Sequence, residues 1–310
     1  MRLDGLLSFP LTPFTPDLAD VAWPALRDHL DRQLATDPAA LFVACGTGEF
    51  TALSPEEYER VVATAVEAAA GRVPVYAGVG GGPQVARAGA AAAARAGADG
   101  ALLLPPYLVD STPAGLVEHV RWVAAAGDLP LVVYQRANAV LDPAAAVALL
   151  DLPSVLGIKD GRGDVDAMLR IVTAVRHSGH PRAADFLFLN GLPTAELSAA
   201  AYRAIGVPAY SSAVLTFVPE VATAFHRAVS TSDDATAGAL LSAFYLPFAA
   251  LRATTPGYAV SLVKAGARLV GQPLGGVRPP LTDPPPEHEE RLAAIVEAGR
   301  RAVAGVVGDA

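Results

Sequence analysis

Eight short runs rich in Val, Leu, Ile and aromatic residues recur along the chain, each followed by an Ala-rich stretch of helical length. This repeated βα pattern constrains the fold more than any other feature. The runs cover residues 5–9, 40–45, 74–79, 100–104, 130–134, 155–159, 186–190 and 208–212. Strands this continuously apolar need both faces covered, as in a parallel sheet flanked by helices. Eight units close naturally into a (β/α)8 or TIM barrel, whereas a doubly wound open sheet more often uses five or six strands. Helix starts support the reading: Ser54 precedes Pro55, Glu56 and Glu57, and Asp110-Ser111-Thr112-Pro113 and Asp142-Pro143 offer the same cap-then-proline signal.

After the eighth run no strand-like segment appears, and Ala, Leu and Arg at helical spacing dominate. The expected organisation is a barrel over residues 1–218 and a C-terminal helical domain over 219–310. Residues 271–286 are rich in Pro and Gly, too constrained for a flexible linker, and lead into a last helix over 287–303. The uncharged stretch 235–251 contains Thr236, Gly238, Ser242 and Pro247 and is shorter than a typical membrane span, so it reads as a buried helix.

With 310 residues, 52% of them hydrophobic and 17% charged, the chain can bury a large core and leaves little material for a disordered tail. A net charge of −8, spread without long blocks, disfavours a nucleic-acid groove or an anionic membrane surface as partner. The single cysteine, Cys45, can form neither an internal disulfide nor a thiolate metal cage, which suits a reducing compartment. Asp4, Pro10 and Pro13 interrupt any signal-peptide core, and a cytoplasmic location is expected.

Arginine outnumbers lysine 21 to two. Wherever a positive charge alone would serve, Arg stands, so Lys159 and Lys264 raise the question of whether an amine is needed chemically. Lys159 closes the sixth run, VLGIK, at the rim where barrel enzymes place their chemistry. Burial there would lower its pKa and create a neutral nucleophile able to form a Schiff base. Tyr134 ends the fifth run and is either a packed rim tyrosine or, beside Lys159 on the next strand, a proton relay. Arg136 is a candidate clamp for a carboxylate or else an exposed loop arginine. After the second run, Gly46, Thr47 and Gly48 form a loop whose amides and hydroxyl could hold a carboxylate, though Gly-Thr-Gly is also a common turn.

Other strings carry less. GVGGGP at 78–83 lacks the last glycine of a dinucleotide fingerprint and the Lys of a P-loop, and reads as a tight βα loop. Arg162-Gly163-Asp164 reads as the turn after the sixth run. His177 and His180 straddle Ser178-Gly179 without an acidic partner pattern, and no metal site is expected. Lys264 reads as structural.

The order of GTGE after the second run, Tyr134 at the end of the fifth and GIKD at the end of the sixth resembles the dihydrodipicolinate synthase and N-acetylneuraminate lyase superfamily of Schiff-base barrels over nearly the whole chain. The resemblance implies Lys159 as the Schiff-base lysine, Tyr134 as the acid/base tyrosine, and Thr47 with its neighbours Gly46 and Gly48 as the binder of a 2-oxo acid carboxylate. Asn190, in LNGLPTAE, joins the substrate-binding candidates. The chain also departs from the synthases. Gly46-Thr47 replaces two adjacent threonines, Tyr107-Leu108 replaces two tyrosines, and Ala139 stands where an arginine usually follows the strand-five tyrosine. Relay through a neighbouring subunit's tyrosine is therefore not expected unchanged. A distal carboxylate would have to be held by Arg136 or by Ser211 and Ser212.

Within the superfamily the combination of LLSFPLTPF, GTGEF, LLLPPYL, VYQRANA, GIKDGRGD, LNGLPTAE and AYSSAV most resembles the branch that dehydrates and decarboxylates 5-dehydro-4-deoxyglucarate to 2,5-dioxopentanoate, carbon dioxide and water. That branch uses no metal or organic cofactor. The implied partner is a small sugar acid, and the implied assembly a homotetramer built from dimers. Two other functions fit the same rim: a class I aldolase or synthase acting on pyruvate and an aldehyde, and a non-catalytic sugar-acid-binding barrel.

Overall fold

Each apolar run is a strand because its alternate side chains serve two different apolar layers, one inside the barrel and one under the helices. In a computed structural model, which describes Leu3 and residues 5–106 and 108–308, the strands are β1 (Leu6–Ser8), β2 (Ala40–Val43), β3 (Val75–Val79), β4 (Gly100–Leu103), β5 (Leu131–Gln135), β6 (Val155–Asp160), β7 (Leu187–Asn190) and β8 (Ala209–Ser212). Asp4 and Tyr107, both named above, lie outside the described residues. All neighbours pair in parallel, and β8 returns to β1 to close the barrel. The chain is therefore an eight-stranded (β/α)8 TIM barrel followed by C-terminal helices.

The helices are α1 (Trp23–Leu34), α2 (Pro55–Ala69), α3 (Pro83–Arg95), α4 (Pro113–Ala124), α5 (Pro143–Ala148), α6 (Val165–Arg176), α7 (Ala199–Ala204), α8 (Pro219–Thr231), α9 (Asp234–Leu240), α10 (Leu246–Arg252), α11 (Tyr258–Leu269) and α12 (Pro286–Gly308). The caps form as the sequence signals. Ser54 Oγ accepts from Glu57 N at 3.2 Å while Glu57 returns the bond to Ser54 N at 3.0 Å, a reciprocal box at the start of α2. Thr112 caps α4 and Asp142 caps α5 through the same third amide.

Three side-chain layers hold the elements together. Inside the barrel, Phe9, Phe42 and Tyr76 stack in a column, successive ring centroids 4.8 Å apart and nearly parallel. Outside, Val133, Ile158 and their equivalents pack under α1 to α6. A third apolar cluster joins α8 to α12 to the barrel through Leu11, Tyr210, Val214 and Phe217. The region from Asp234 to Arg252 is long and apolar enough to cross a membrane by length and composition alone. It is a buried-faced helical region as expected, built from α9 and α10 joined by a π-helical turn (Leu241–Tyr245), with one face inside. Leu240, Phe244, Phe248 and Leu251 point into the core, and the small and polar residues Thr236, Gly238 and Ser242 fall on the outer side.

The Pro/Gly-rich segment before α12 is clamped to the barrel. Arg278 donates two bonds of 2.7 Å to the Glu57 carboxylate and others to the carbonyls of Leu18 and Ala52. The segment therefore behaves as a strap, not a hinge.

Candidate active site

The aromatic column decides the chemistry of the residue above it. Tyr134 and Lys159 are register partners on β5 and β6, and both point inward because Val133 and Ile158 beside them point out. The Lys159 amine lies 4.0 Å from the Phe9 ring centroid and 4.5 Å from that of Tyr134. Ring faces attract a cation but do not solvate it as water does. Among the described residues no carboxylate forms an ion pair with this amine. Burial therefore brings its pKa down to about 8, and the nearby Arg136 charge pushes the same way. Cys45 is close as well, but burial raises its thiol to about 12, so it stays neutral and unreactive.

Tyr134 is buried, and its hydroxyl donates to the Gly191 carbonyl at 2.9 Å. Desolvation holds its pKa above the ordinary value, with Arg136 opposing, so the phenol keeps its proton. Two glycines make room for the pair. A Cβ on Gly161 would stand 2.6 Å from the Tyr134 hydroxyl, and one on Gly191 would stand 2.4 Å from Lys159 Cε. Neither glycine drew notice in the sequence, although both immediately follow a strand. Gly191→Ala is expected to lower kcat/KM by about 10²-fold, since the lysine tip must shift by a good part of an ångström. Steady-state kinetics with an unchanged melting temperature would separate this from misfolding.

The cavity above the lysine measures about 340 Å3. It brings together Gly46, Thr47, Tyr134, Arg136, Lys159 and Ser211 from four segments scattered through the sequence. Three other sequence candidates do not line it. Asn190 donates from its side-chain amide to Ala195 O (3.1 Å) and Ser198 Oγ (2.9 Å), and accepts from Leu192 N. Ser212 donates to Glu196 Oε1 at 2.6 Å and accepts from Leu215 N. Gly48 turns its carbonyl to Thr12 Oγ1 at 2.7 Å, and a Cβ there would press on Ala44. All three stand behind the rim and shape the loops that form it.

The sequence missed the far wall entirely. Gly257, Ala259 and Val260 at the start of α11, and Leu281 on the strap, complete the cavity. Phe9, Leu102, Leu104, Leu192, Pro193 and Ala213 supply further apolar lining. Nothing in the C-terminal region marks these residues chemically, because what they contribute is shape.

Several weaker strings have structural duties. Asp160 accepts from Gln135, from the amides of Arg162 and Gly163, and from the Tyr202 hydroxyl, pinning the turn that carries Arg162-Gly163-Asp164. Asp164 caps α6, and Pro83 starts α3 directly after the glycine loop. His177 bonds the Thr173 carbonyl, and among the described residues no group of three or more His, Cys, Asp or Glu is placed to hold a metal. A larger hollow of about 640 Å3 lies at the opposite mouth, by Leu187 and Ala209. Its arginines, Arg176 and Arg182, are spent on backbone carbonyls, and parallel barrels carry chemistry at the other end.

The chain matches the profile of the dihydrodipicolinate synthetase family over residues 2–299. It is 52% identical to a probable 5-dehydro-4-deoxyglucarate dehydratase from Streptomyces avermitilis, covering 95% of this chain and 93% of the relative. It is 45% identical to another so named from Rhizobium rhizogenes, over 96% of both chains. Among solved structures, a dihydrodipicolinate synthase from Oceanobacillus iheyensis superposes with a TM-score of 0.88 at 24% identity, over 97% of both chains.

Proposed function

The chain belongs to the dihydrodipicolinate synthetase family, and from that membership we propose that it is a decarboxylating dehydratase that converts 5-dehydro-4-deoxyglucarate to 2,5-dioxopentanoate, carbon dioxide and water. The observation that carries the proposal is the Lys159 amine, buried at the barrel mouth with its pKa brought down to about 8 and, among the described residues, no carboxylate paired with it. The curated relatives named for this dehydration supply the substrate.

Lys159 attacks the 2-oxo carbon and, with loss of water, forms an iminium. Tyr134 donates a proton to the departing carbinolamine oxygen and takes one back later. The iminium acidifies the neighbouring methylene, and its proton leaves to give an enamine. The enamine electrons expel the β-hydroxyl as water and leave a conjugated iminium. Breaking the bond to the remote carboxylate sends its electron pair into that conjugated system and releases carbon dioxide. Protonation, tautomerisation of the resulting enol to the aldehyde and hydrolysis of the imine free the product and regenerate the amine. The iminium is the electron sink, so the sequence of steps calls for no metal or organic cofactor.

Thr47 and the Gly46 backbone hold the carboxylate next to the oxo group, and Arg136, with Ser211, receives the distal one. Residues 1–218 form the catalytic unit and 219–310 the unit that closes it. We place the enzyme in a reducing cytoplasm, which the single buried thiol supports, and assemble it as a homotetramer, as the family resemblance implies. Incubation with 5-dehydro-4-deoxyglucarate should release carbon dioxide and the product aldehyde in equal amounts, unaffected by exhaustive chelation. Release of pyruvate would mean aldol cleavage, and binding without turnover would mean a sugar-acid-binding barrel.

A further inference from the structure

The second lysine has a different fate from the first. Lys264 is fully buried and donates to Glu49 Oε1 at 2.8 Å. The other oxygen of Glu49 accepts the backbone amide of Arg278 at 3.0 Å. Glu49 itself stands at φ 55° and ψ 44°, a left-handed conformation that costs a residue with a Cβ and persists only where the surroundings hold it. One carboxylate thus joins three pieces of chain that are 215 and 229 residues apart in sequence.

Each of those pieces is a wall of the cavity. Glu49 follows Thr47 by two residues, and its amide closes the loop back onto the Gly46 carbonyl at 3.2 Å. Lys264 lies one helical turn after Val260 on α11, so the two share a face. Arg278 precedes Leu281 on the strap by three residues. The Phe14 ring fills the space between, 4.1 Å from Lys264 Nζ and 4.1 Å from the Arg278 guanidinium carbon.

We propose that Glu49 is a positioning residue for substrate binding: by holding Lys264 and the Arg278 amide together, it fixes the Thr47 loop at a set distance from the wall made by α11 and Leu281. The inference rests on the reading of Thr47 as the carboxylate binder given above. It makes Glu49 and Lys264 determinants of affinity although neither lines the cavity.

A buried ion pair also contributes to the fold, so the test must separate position from stability. The double variant Glu49→Leu with Lys264→Met removes both charges and leaves neither unpaired, while the Arg278 amide loses its acceptor, and its melting temperature is expected to fall by no more than about 4 °C. The probe is pyruvate, trapped on the enzyme by borohydride. The concentration giving half-maximal trapping is expected to rise about tenfold, with the maximal trapped fraction unchanged. A half-saturating concentration within about twofold of the parent, whatever the melting temperature does, would show a merely structural pair and overturn the inference. If the double variant does not fold, Glu49→Gln takes its place. The same tenfold rise is expected of it, and a value within about twofold of the parent overturns the inference. The parent protein is the control for the underlying reading. Absence of any pyruvate adduct on it would defeat the Schiff-base function and this inference together, whereas an adduct with unmoved half-saturation in the variants defeats the inference alone.

Discussion

Lys159→Ala is expected to lose turnover and borohydride-dependent trapping together, with activity down by about 10⁴-fold or more, because among the described residues no other amine lines the cavity to form the imine. Mass mapping of the trapped parent protein should place the adduct on the peptide containing Lys159 and leave Lys264 unmodified, since Lys264 is closed off in its pair with Glu49. The pH profile gives an independent reading of the same residue. Burial lowers the amine to about 8, so the neutral, nucleophilic fraction grows as pH rises toward that value and is complete above it. kcat/KM should therefore climb about tenfold per pH unit below 8 and level off beyond it. An adduct on Lys264, or a rate indifferent to pH between 6 and 9, would remove Lys159 from its role.

The barrel was legible because its information is periodic. Eight apolar runs, each with a helix start after it, allow few closures, and the capping residues Ser54, Thr112 and Asp142 carry their own geometry. Lys159 and Tyr134 were legible for a different reason: a strand end in a parallel barrel is a position with chemical meaning, and an amine is conspicuous in a chain that otherwise uses arginine. What stayed hidden are residues that act through shape or through a partner far away in sequence. Gly161 and Gly191 matter because a methyl group does not fit beside Tyr134 and Lys159, and only coordinates reveal the neighbour. Asn190 and Ser212 look like rim residues by position, yet their hydrogen-bonding capacity is directed behind the rim, to the 195–198 turn and to Glu196. Strand alternation assigns a face; it does not say whether a loop has already claimed the side chain there. Glu49 was visible only as part of GTGEF, since the lysine that gives it a purpose lies 215 residues away.

That separation between what touches the reacting atoms and what shapes the space gives the second large effect its form. Tyr134→Phe removes a hydroxyl and little else: the ring stays in the barrel core, and its face still flanks the Lys159 amine. Ground-state binding should survive, and so should the half-saturating concentration of a 2-oxo acid. On the proposed mechanism the proton transfers that make and break the carbinolamine lose their positioned donor, and kcat is expected to fall by about 10² to 10⁴. One side effect has to be separated from this, because the lost hydroxyl also leaves the Gly191 carbonyl without its 2.9 Å donor, and Gly191 packs on the lysine side chain. If the loss came from a displaced lysine, borohydride trapping at saturating pyruvate would fall in extent as well as in rate. If it comes from proton transfer, trapping reaches the parent extent more slowly. A Tyr134→Phe enzyme with parent kcat would strip the phenol of the relay, leaving a water or the substrate's own hydroxyl to carry the proton past Lys159.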